Sequence, residues 1–309
     1  MRLRIGTRGS ALALAQAGDV ARRLEALGHA TETIVISTAG DRMTDRAFAD
    51  IGAFGIFVRE IEAALIERRV DVAVHSYKDL PSGGPAALVV AAVPERVDAA
   101  DVLLMQAAAV DDTSAPIPLR DGARVGTSAA RRTAQLRAAH PGLEIVPLRG
   151  NVPTRVRSLV DGRYDAIVVA AAGLQRLERA AGDGAEPLVP PGLVRRRLDP
   201  AHFVPAPAQG AIAVQVRADD SPVRDAVAAI DNAECARTLR AERSALALAE
   251  GGCTLPFGAW CRVGARGALC LTVALGRSDG TIARAELTGD DPDALAAAAW
   301  RAIATEAFL

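Results

Sequence analysis

Apolar positions in the first 220 residues fall into two rhythms. Short runs rich in Val, Ile and Leu lie at 2–6, 32–37, 71–75, 87–93, 123–126, 143–148, 165–170 and 211–217. Their length and their Gly, Pro or charged boundaries predict buried strands. Between them apolar residues recur at three-to-four spacing, as in Ala17, Val20, Ala21, Leu24 and Leu27, with Ser10 as the expected N-cap of that helix. Asn151, with Pro153 close behind, opens another helix in the same way. This alternation predicts βαβ units with buried, largely parallel sheets.

The pattern also echoes itself. Arg4-Ile5-Gly6-Thr7 is matched by Arg124-Val125-Gly126-Thr127, and Asp71-Val72-Ala73-Val74 by Asp165-Ala166-Ile167-Val168, in the same order. Two lobes of similar βα design are expected. Pro94 to Asp101 reads as a crossing between them, and Val204-Pro205-Ala206-Pro207-Ala208-Gln209-Gly210 as the return, so that the strand 211–217 rejoins the first lobe. Two crossings make a hinged pair with a cleft, and ligands of open α/β sheets bind at the carboxyl ends of the strands. Beyond residue 220 the rhythm changes to helices over 222–230 and 233–249, the loop Glu250-Gly251-Gly252-Cys253, strands near 258–265, 268–276 and 281–288, and a helix over 292–307. The expected division is 1–97 plus 208–219, then 98–207, then a small α+β domain over 220–309.

Composition narrows the function. A chain of 309 residues, half of them hydrophobic and 24% charged, has a soluble globular balance. A formal net charge of −1 excludes general attraction to nucleic acid or anionic membrane. No apolar stretch has signal-peptide or membrane-span length, so a cytoplasmic location is expected. Cys235, Cys253, Cys261 and Cys270 contain no C-x-x-C pair, which points away from a metal site or a redox dithiol.

Of 36 lysines and arginines, Lys78 is the only lysine. It sits in His75-Ser76-Tyr77-Lys78-Asp79-Leu80-Pro81, where a compact ammonium is retained in a chain that otherwise uses guanidinium. The arginines are placed as a binding site would place them. Arg8, Arg131, Arg132, Arg149, Arg155 and Arg176 all fall where predicted strands end and helices begin. Strand ends on one sheet share an edge, and helix N-termini add N–H donors and a positive dipole end. Guanidinium forks bind carboxylates bidentately. The ligand implied carries several negative charges, and a polycarboxylate fits better than a nucleotide, because neither a Walker spacing nor a G-x-G-x-x-G is present. Asp79, amid these cations, can stabilise a developing positive charge or accept a proton. His75 ends a buried strand, where histidine is usually structural. From the residues alone, an enzyme, a non-catalytic two-lobed anion-binding protein and a nucleotide-dependent transferase all stand.

These residues together resemble the porphobilinogen deaminase (hydroxymethylbilane synthase) family. The resemblance is carried by Gly6-Thr7-Arg8-Gly9-Ser10, the His75–Pro81 run, Gly126-Thr127-Ser128-Ala129-Ala130-Arg131-Arg132, Leu148-Arg149-Gly150-Asn151-Val152, Ala172-Gly173-Leu174, Pro207-Ala208-Gln209-Gly210-Ala211 and Glu250-Gly251-Gly252-Cys253-Thr254-Leu255-Pro256. It implies an α/β fold of two hinged βα lobes of periplasmic-binding-protein-like type plus a small C-terminal α+β domain. It further implies a transferase that joins four porphobilinogen molecules head to tail onto a covalent dipyrromethane primer, losing ammonia at each step and releasing hydroxymethylbilane by hydrolysis. By the same resemblance Cys253 holds the dipyrromethane through a thioether and Asp79 is catalytic. Lys78, Asp79, Thr127, Ser128, Arg131, Arg132 and Arg155 hold the cofactor, while Arg8, Ser10, Arg149, Arg155 and Arg176 contact substrate. No metal, no nucleic acid, no membrane and a monomeric state are implied. Two positions depart from the family pattern: Phe54 stands where many members have lysine, and Ala129 where others have serine.

Overall fold

The computed structural model describes residues 1–37, 58–113, 116–249 and 255–307. In chain order its strands are β1 (Arg2–Thr7), β2 (Ala30–Val35), β3 (Val72–Ser76), β4 (Leu88–Ala92), β5 (Asp101–Gln106), β6 (Arg124–Gly126), β7 (Glu144–Val146), β8 (Ala166–Ala170), β9 (Leu193–Arg197), β10 (Ile212–Arg217), β11 (Phe257–Val263), β12 (Leu269–Gly276) and β13 (Ile282–Gly289). The helices are α1 (Ala11–Ala26), α2 (Arg59–Ile66), α3 (Ala130–Ala139), α4 (Val152–Val160), α5 (Ala171–Ala181), α6 (Ser221–Ala228), α7 (Ala233–Leu248) and α8 (Pro292–Ala307). They form two compact units, Met1–Val97 with Ala208–Leu239, and Asp98–Pro207 with Arg240–Leu309.

The first unit holds a five-stranded sheet in the order β2-β1-β3-β10-β4, and the second a sheet in the order β7-β6-β8-β5-β9. The plan is the same in both. β1 runs parallel to β2 and β3, as β6 does to β7 and β8, while β10 and β5 run antiparallel to their neighbours. The sheets are therefore mixed rather than largely parallel. The cause is where the crossing segments enter. β5 begins beside the end of β8, with Asp101 opposite Ala170, and β10 begins beside the end of β3, with Ile212 opposite Ser76. A strand that starts at the carboxyl edge can only run back.

Each sheet is covered on both faces, as its near-continuous apolar strands require. In the first unit Leu3, Ile5, Val72, Val74, Val214 and Val216 pack with Ala17, Val20 and Leu24 of α1 and with α6. On the other face Ala73 and Leu88 pack with Ile61, Ala64 and Leu65 of α2. In the second unit one core gathers Leu103, Met105, Val125 and Val168 around Leu136 of α3, and another gathers Leu104, Ile167 and Val169 around α4 and α5.

The sequence echoes correspond to one repeated contact. Arg4 donates its backbone N–H and its Nε to Asp71 and an Nη to the Arg68 carbonyl, fastening the start of β1 to the start of β3. Arg124 does the same with Asp165 and the Gly162 carbonyl, fastening β6 to β8.

The antiparallel sheet β11-β12-β13 packs one face against α8 and the second half of α7, around Ala245, Phe257, Leu271, Val273, Ala296 and Ile303. Its own strands also meet the Val204–Pro205 turn of the same unit, where the Ala259 N–H donates to the Pro205 carbonyl. The two α/β sheets and the C-terminal α+β sheet agree with the expected fold class. β5 and β9 were not expected from the apolar pattern. β9 is an edge strand ending Arg195-Arg196-Arg197, whose residues are exposed and carry no alternation to read.

Candidate active site

At the carboxyl edge of the first sheet, β1 delivers Arg8 and Ser10. Arg8 is partly buried, and Ser10 caps α1 by accepting the Ala13 N–H at 3.3 Å. β3 ends in a single 3-10 turn, Tyr77–Asp79, which leaves Asp79 exposed and Lys78 partly buried. The Lys78 ammonium donates to the Gln209 side-chain oxygen at 3.1 Å. Gln209 is only 1% exposed, and its carbonyl accepts Arg96 Nε at 3.1 Å. The turn that brings Gln209 there is strained. The preceding Ala208 is buried with φ of 61°, a left-handed conformation that non-glycine residues adopt only when their surroundings enforce it. The Tyr77 N–H donates to the Ala211 carbonyl, so the turn carrying Lys78 and Asp79 is tied to the turn carrying Gln209.

His75 lies one strand position before this edge and is buried. Burial pushes its imidazole down to about 4 against the opposing effect of a hydrogen bond with Gln215. It is a neutral interior residue, in keeping with the structural role expected from its place.

The second unit gathers its residues at the same kind of edge, since β6, β7 and β8 run parallel. Thr127 and Ser128 follow β6, Arg149 follows β7, and α5 with Arg176 follows β8. Ser128 Oγ donates to the Leu148 carbonyl and accepts the Leu148 N–H, both at 3.0 Å, which locks the ends of β6 and β7 together. Arg149 is exposed. Arg155, one turn into α4, donates its Nε to the Gly150 carbonyl at 2.7 Å. Arg176 is 5% exposed. Ala129 occupies the N-cap of α3 with no side-chain acceptor, so the serine that the resemblance leads one to expect here would add a cap that this helix lacks.

Arg131 and Arg132, in the first turn of α3, are buried and share one carboxylate. Arg132 donates its Nε and an Nη to Asp101 Oδ1 at 3.1 and 2.6 Å and its other Nη to the Val168 carbonyl at 3.0 Å. Arg131 stands 2.8 Å from Asp101 Oδ2, donates to the Val204 carbonyl at 2.8 Å, and lies over the Phe203 ring. Burial lowers the Arg131 pKa, Asp101 raises it and Arg132 lowers it further. Asp101 is fully buried at the start of β5.

Of the residues proposed from sequence, the structure thus brings Arg8, Ser10, Lys78 and Asp79 to one edge of the first unit. Thr127, Ser128, Arg131, Arg132, Arg149, Arg155 and Arg176 come to one edge of the second. Cys253 and Phe54 lie outside the described residues. Asp101 and Gln209 were not singled out from sequence. The signal for Asp101 was present: a carboxylate opening the apolar strand Asp101-Val102-Leu103-Leu104-Met105 can be buried only if cations meet it.

Two similar mixed sheets with basic side chains at their strand ends define the class as a two-sheet α/β protein. Comparison with known proteins specifies which. The family model described as porphobilinogen deaminase, dipyromethane cofactor binding domain, matches residues 3–225. A porphobilinogen deaminase of Syntrophobacter fumaroxidans is 44% identical, covering 83% of this chain and 78% of the relative. One from Xanthomonas campestris pv. campestris is 42% identical over 94% of this chain and 91% of its own. A periplasmic substrate-binding protein from Coxiella burnetii aligns with 78% of this chain and 96% of its own at 15% identity and a TM-score of 0.42. The chain belongs to the porphobilinogen deaminase family.

Proposed function

We propose that this chain is a hydroxymethylbilane synthase that builds a linear tetrapyrrole from four porphobilinogen molecules on a dipyrromethane cofactor tethered to Cys253. Family membership over most of the chain carries the activity and porphobilinogen as substrate. Cys253 lies beyond the residues matched by the family model, and its role is the one implied by the resemblance carried by Glu250-Gly251-Gly252-Cys253-Thr254-Leu255-Pro256.

The residues present fit a ligand bearing several carboxylates. Arg131 and Arg132 are two interior cations set against the one carboxylate of Asp101, and Arg149 and Arg155 follow on the same edge. When bound, the dipyrromethane supplies the pyrrole carbon from which the chain is extended. Lys78, Thr127, Ser128, Arg131, Arg132 and Arg155 would hold its acetate and propionate groups. Arg8, Ser10, Arg149, Arg155 and Arg176 would receive the acidic side chains of incoming porphobilinogen, each charge-assisted contact contributing ~1.5–3 kcal/mol. Asp79, on its tight turn beside Lys78, would face the positive charge that develops as ammonia leaves the substrate. It would then take up the pyrrole proton released when the new bond forms. The proposed division of labour is 1–97 plus 208–219 for the catalytic acid, 98–207 for the arginine side, and 220–309 for the cysteine. Among the described residues no helix is long and apolar enough to cross a membrane, and we place the enzyme in the cytoplasm as a monomer.

Intact-mass measurement tests this reading. The purified protein should carry an adduct of two linked pyrrole rings that Cys253→Ser lacks, and Asp79→Asn should keep the adduct while losing nearly all turnover. A wild-type mass equal to the sequence alone removes the tether, and normal turnover in Asp79→Asn removes Asp79 from the chemistry.

A further inference from the structure

We infer that Asp101 is a positioning residue for Arg131 and Arg132, fixing both guanidiniums in the orientation in which they receive the ligand's carboxylates. The inference rests on reading these two arginines as cofactor-side cations. Its observations are separate from that reading, because they concern how the cations are held.

Asp101 is fully buried and borne on a strand, so its short side chain has little freedom. Its two oxygens face different guanidiniums, Oδ1 taking two donors of Arg132 and Oδ2 lying 2.8 Å from Arg131. The outer donors are fixed by main chain, at the Val168 carbonyl for Arg132 and the Val204 carbonyl for Arg131. Both long side chains are therefore ordered before any ligand arrives, and the ordering cost does not fall on binding. Two positive groups on one carboxylate leave an excess charge of one at the carboxyl edge, which an incoming carboxylate would offset. Without Asp101 the two guanidiniums would face each other unscreened and would have to part. The antiparallel entry of β5 is what sets Asp101 at this edge, opposite Ala170 at the end of β8.

Two measurements test the assignment. In wild-type protein the Arg132 Nε–H, assigned by its loss in Arg132→Lys, should give a slowly exchanging 15N-detected NMR signal at neutral pH. Exchange as fast as that of the exposed Arg2 would overturn the proposal, and this arm needs no variant of Asp101 to fold. In Asp101→Asn, which keeps the shape but removes the charge, the fraction of chains carrying the pyrrole adduct by intact mass should fall at least tenfold. The Arg132 Nε–H of the folded variant should exchange at least tenfold faster than in wild-type protein. Leu24→Ala, destabilising through the core of the first unit and away from every partner of these arginines, should keep its adduct. Wild-type occupancy and Arg132 Nε–H exchange in folded Asp101→Asn, or equal adduct loss in Leu24→Ala, would overturn the positioning role. If wild-type protein itself carries no adduct, the cofactor reading fails, and the NMR arm still decides whether Asp101 holds the pair.

Discussion

A lysine retained in an arginine-rich chain is legible because substitution by the chemically nearest residue was open and was not taken. Lys78 drew attention for that reason, and the structure ties it to a buried partner, Gln209. Gln209 itself was not legible, since an amide gains its meaning from what faces it. The same limit hid the environment of His75. Its position ended a buried strand, but its consequence for stability depends on the depth of burial, which no local pattern states. In the folded protein burial holds the imidazole neutral down to about pH 4, whereas in the unfolded chain it takes a proton near its ordinary value. As pH falls from about 6.5 to about 4, the unfolded state alone gains a proton, so stability falls across that window by about 3 kcal/mol and then levels off from this source. His75→Gln should flatten the pH dependence of the denaturant midpoint between those limits. An unchanged slope in the variant would show that His75 is not the group responsible.

Elements were more legible than single contacts, and the exceptions share a cause. Strands whose apolar residues alternate or run together were read within two residues of their observed bounds. β5 was missed because its first residue is charged and was taken as the end of a crossing. The sheets were expected to be largely parallel and are mixed, because apolar pattern sets burial, whereas the direction of β5 and β10 is set by the edge at which a connection enters. Packing between elements left another trace, a glycine in β11. A Cβ built on Gly258 would come within 2.7 Å of the Val204 carbonyl oxygen and 3.0 Å of the Pro205 carbonyl oxygen. These are backbone atoms that cannot swing aside. Gly258→Ala should therefore cost about 1–3 kcal/mol in chemical denaturation, the usual range for overpacking. A neutral result would mean that the 204–205 turn yields more readily than its hydrogen bond to Ala259 implies.

At the scale of the whole molecule, the sequence echo proved to be a repeated construction. The first sheet fastens β1 to β3 and the second β6 to β8, each by an Arg–Asp pair at the amino end, and both carry the proposed site residues at the carboxyl end. Separating a scaffold end from a ligand end makes a spatial prediction within the second unit. If Thr127, Ser128, Arg131, Arg132 and Arg155 hold the dipyrromethane, its loss should loosen only the edge where these residues stand. Hydrogen exchange followed by mass spectrometry, comparing wild-type protein with Cys253→Ser, should show protection lost over 127–132 and 148–155, the segments following β6 and β7. Peptides covering Arg124 and Asp165 at the opposite end of the same strands, and those of β13, should exchange alike in both proteins. This pattern separates a ligand held by the strand ends from one that stabilises the fold at large, because a ligand that merely binds the native state raises the protection of every globally exchanging amide together. Loss confined to β13 and α8, with 127–132 unchanged, would take the cofactor away from the arginine edge and with it the roles assigned to Arg131, Arg132 and Arg155.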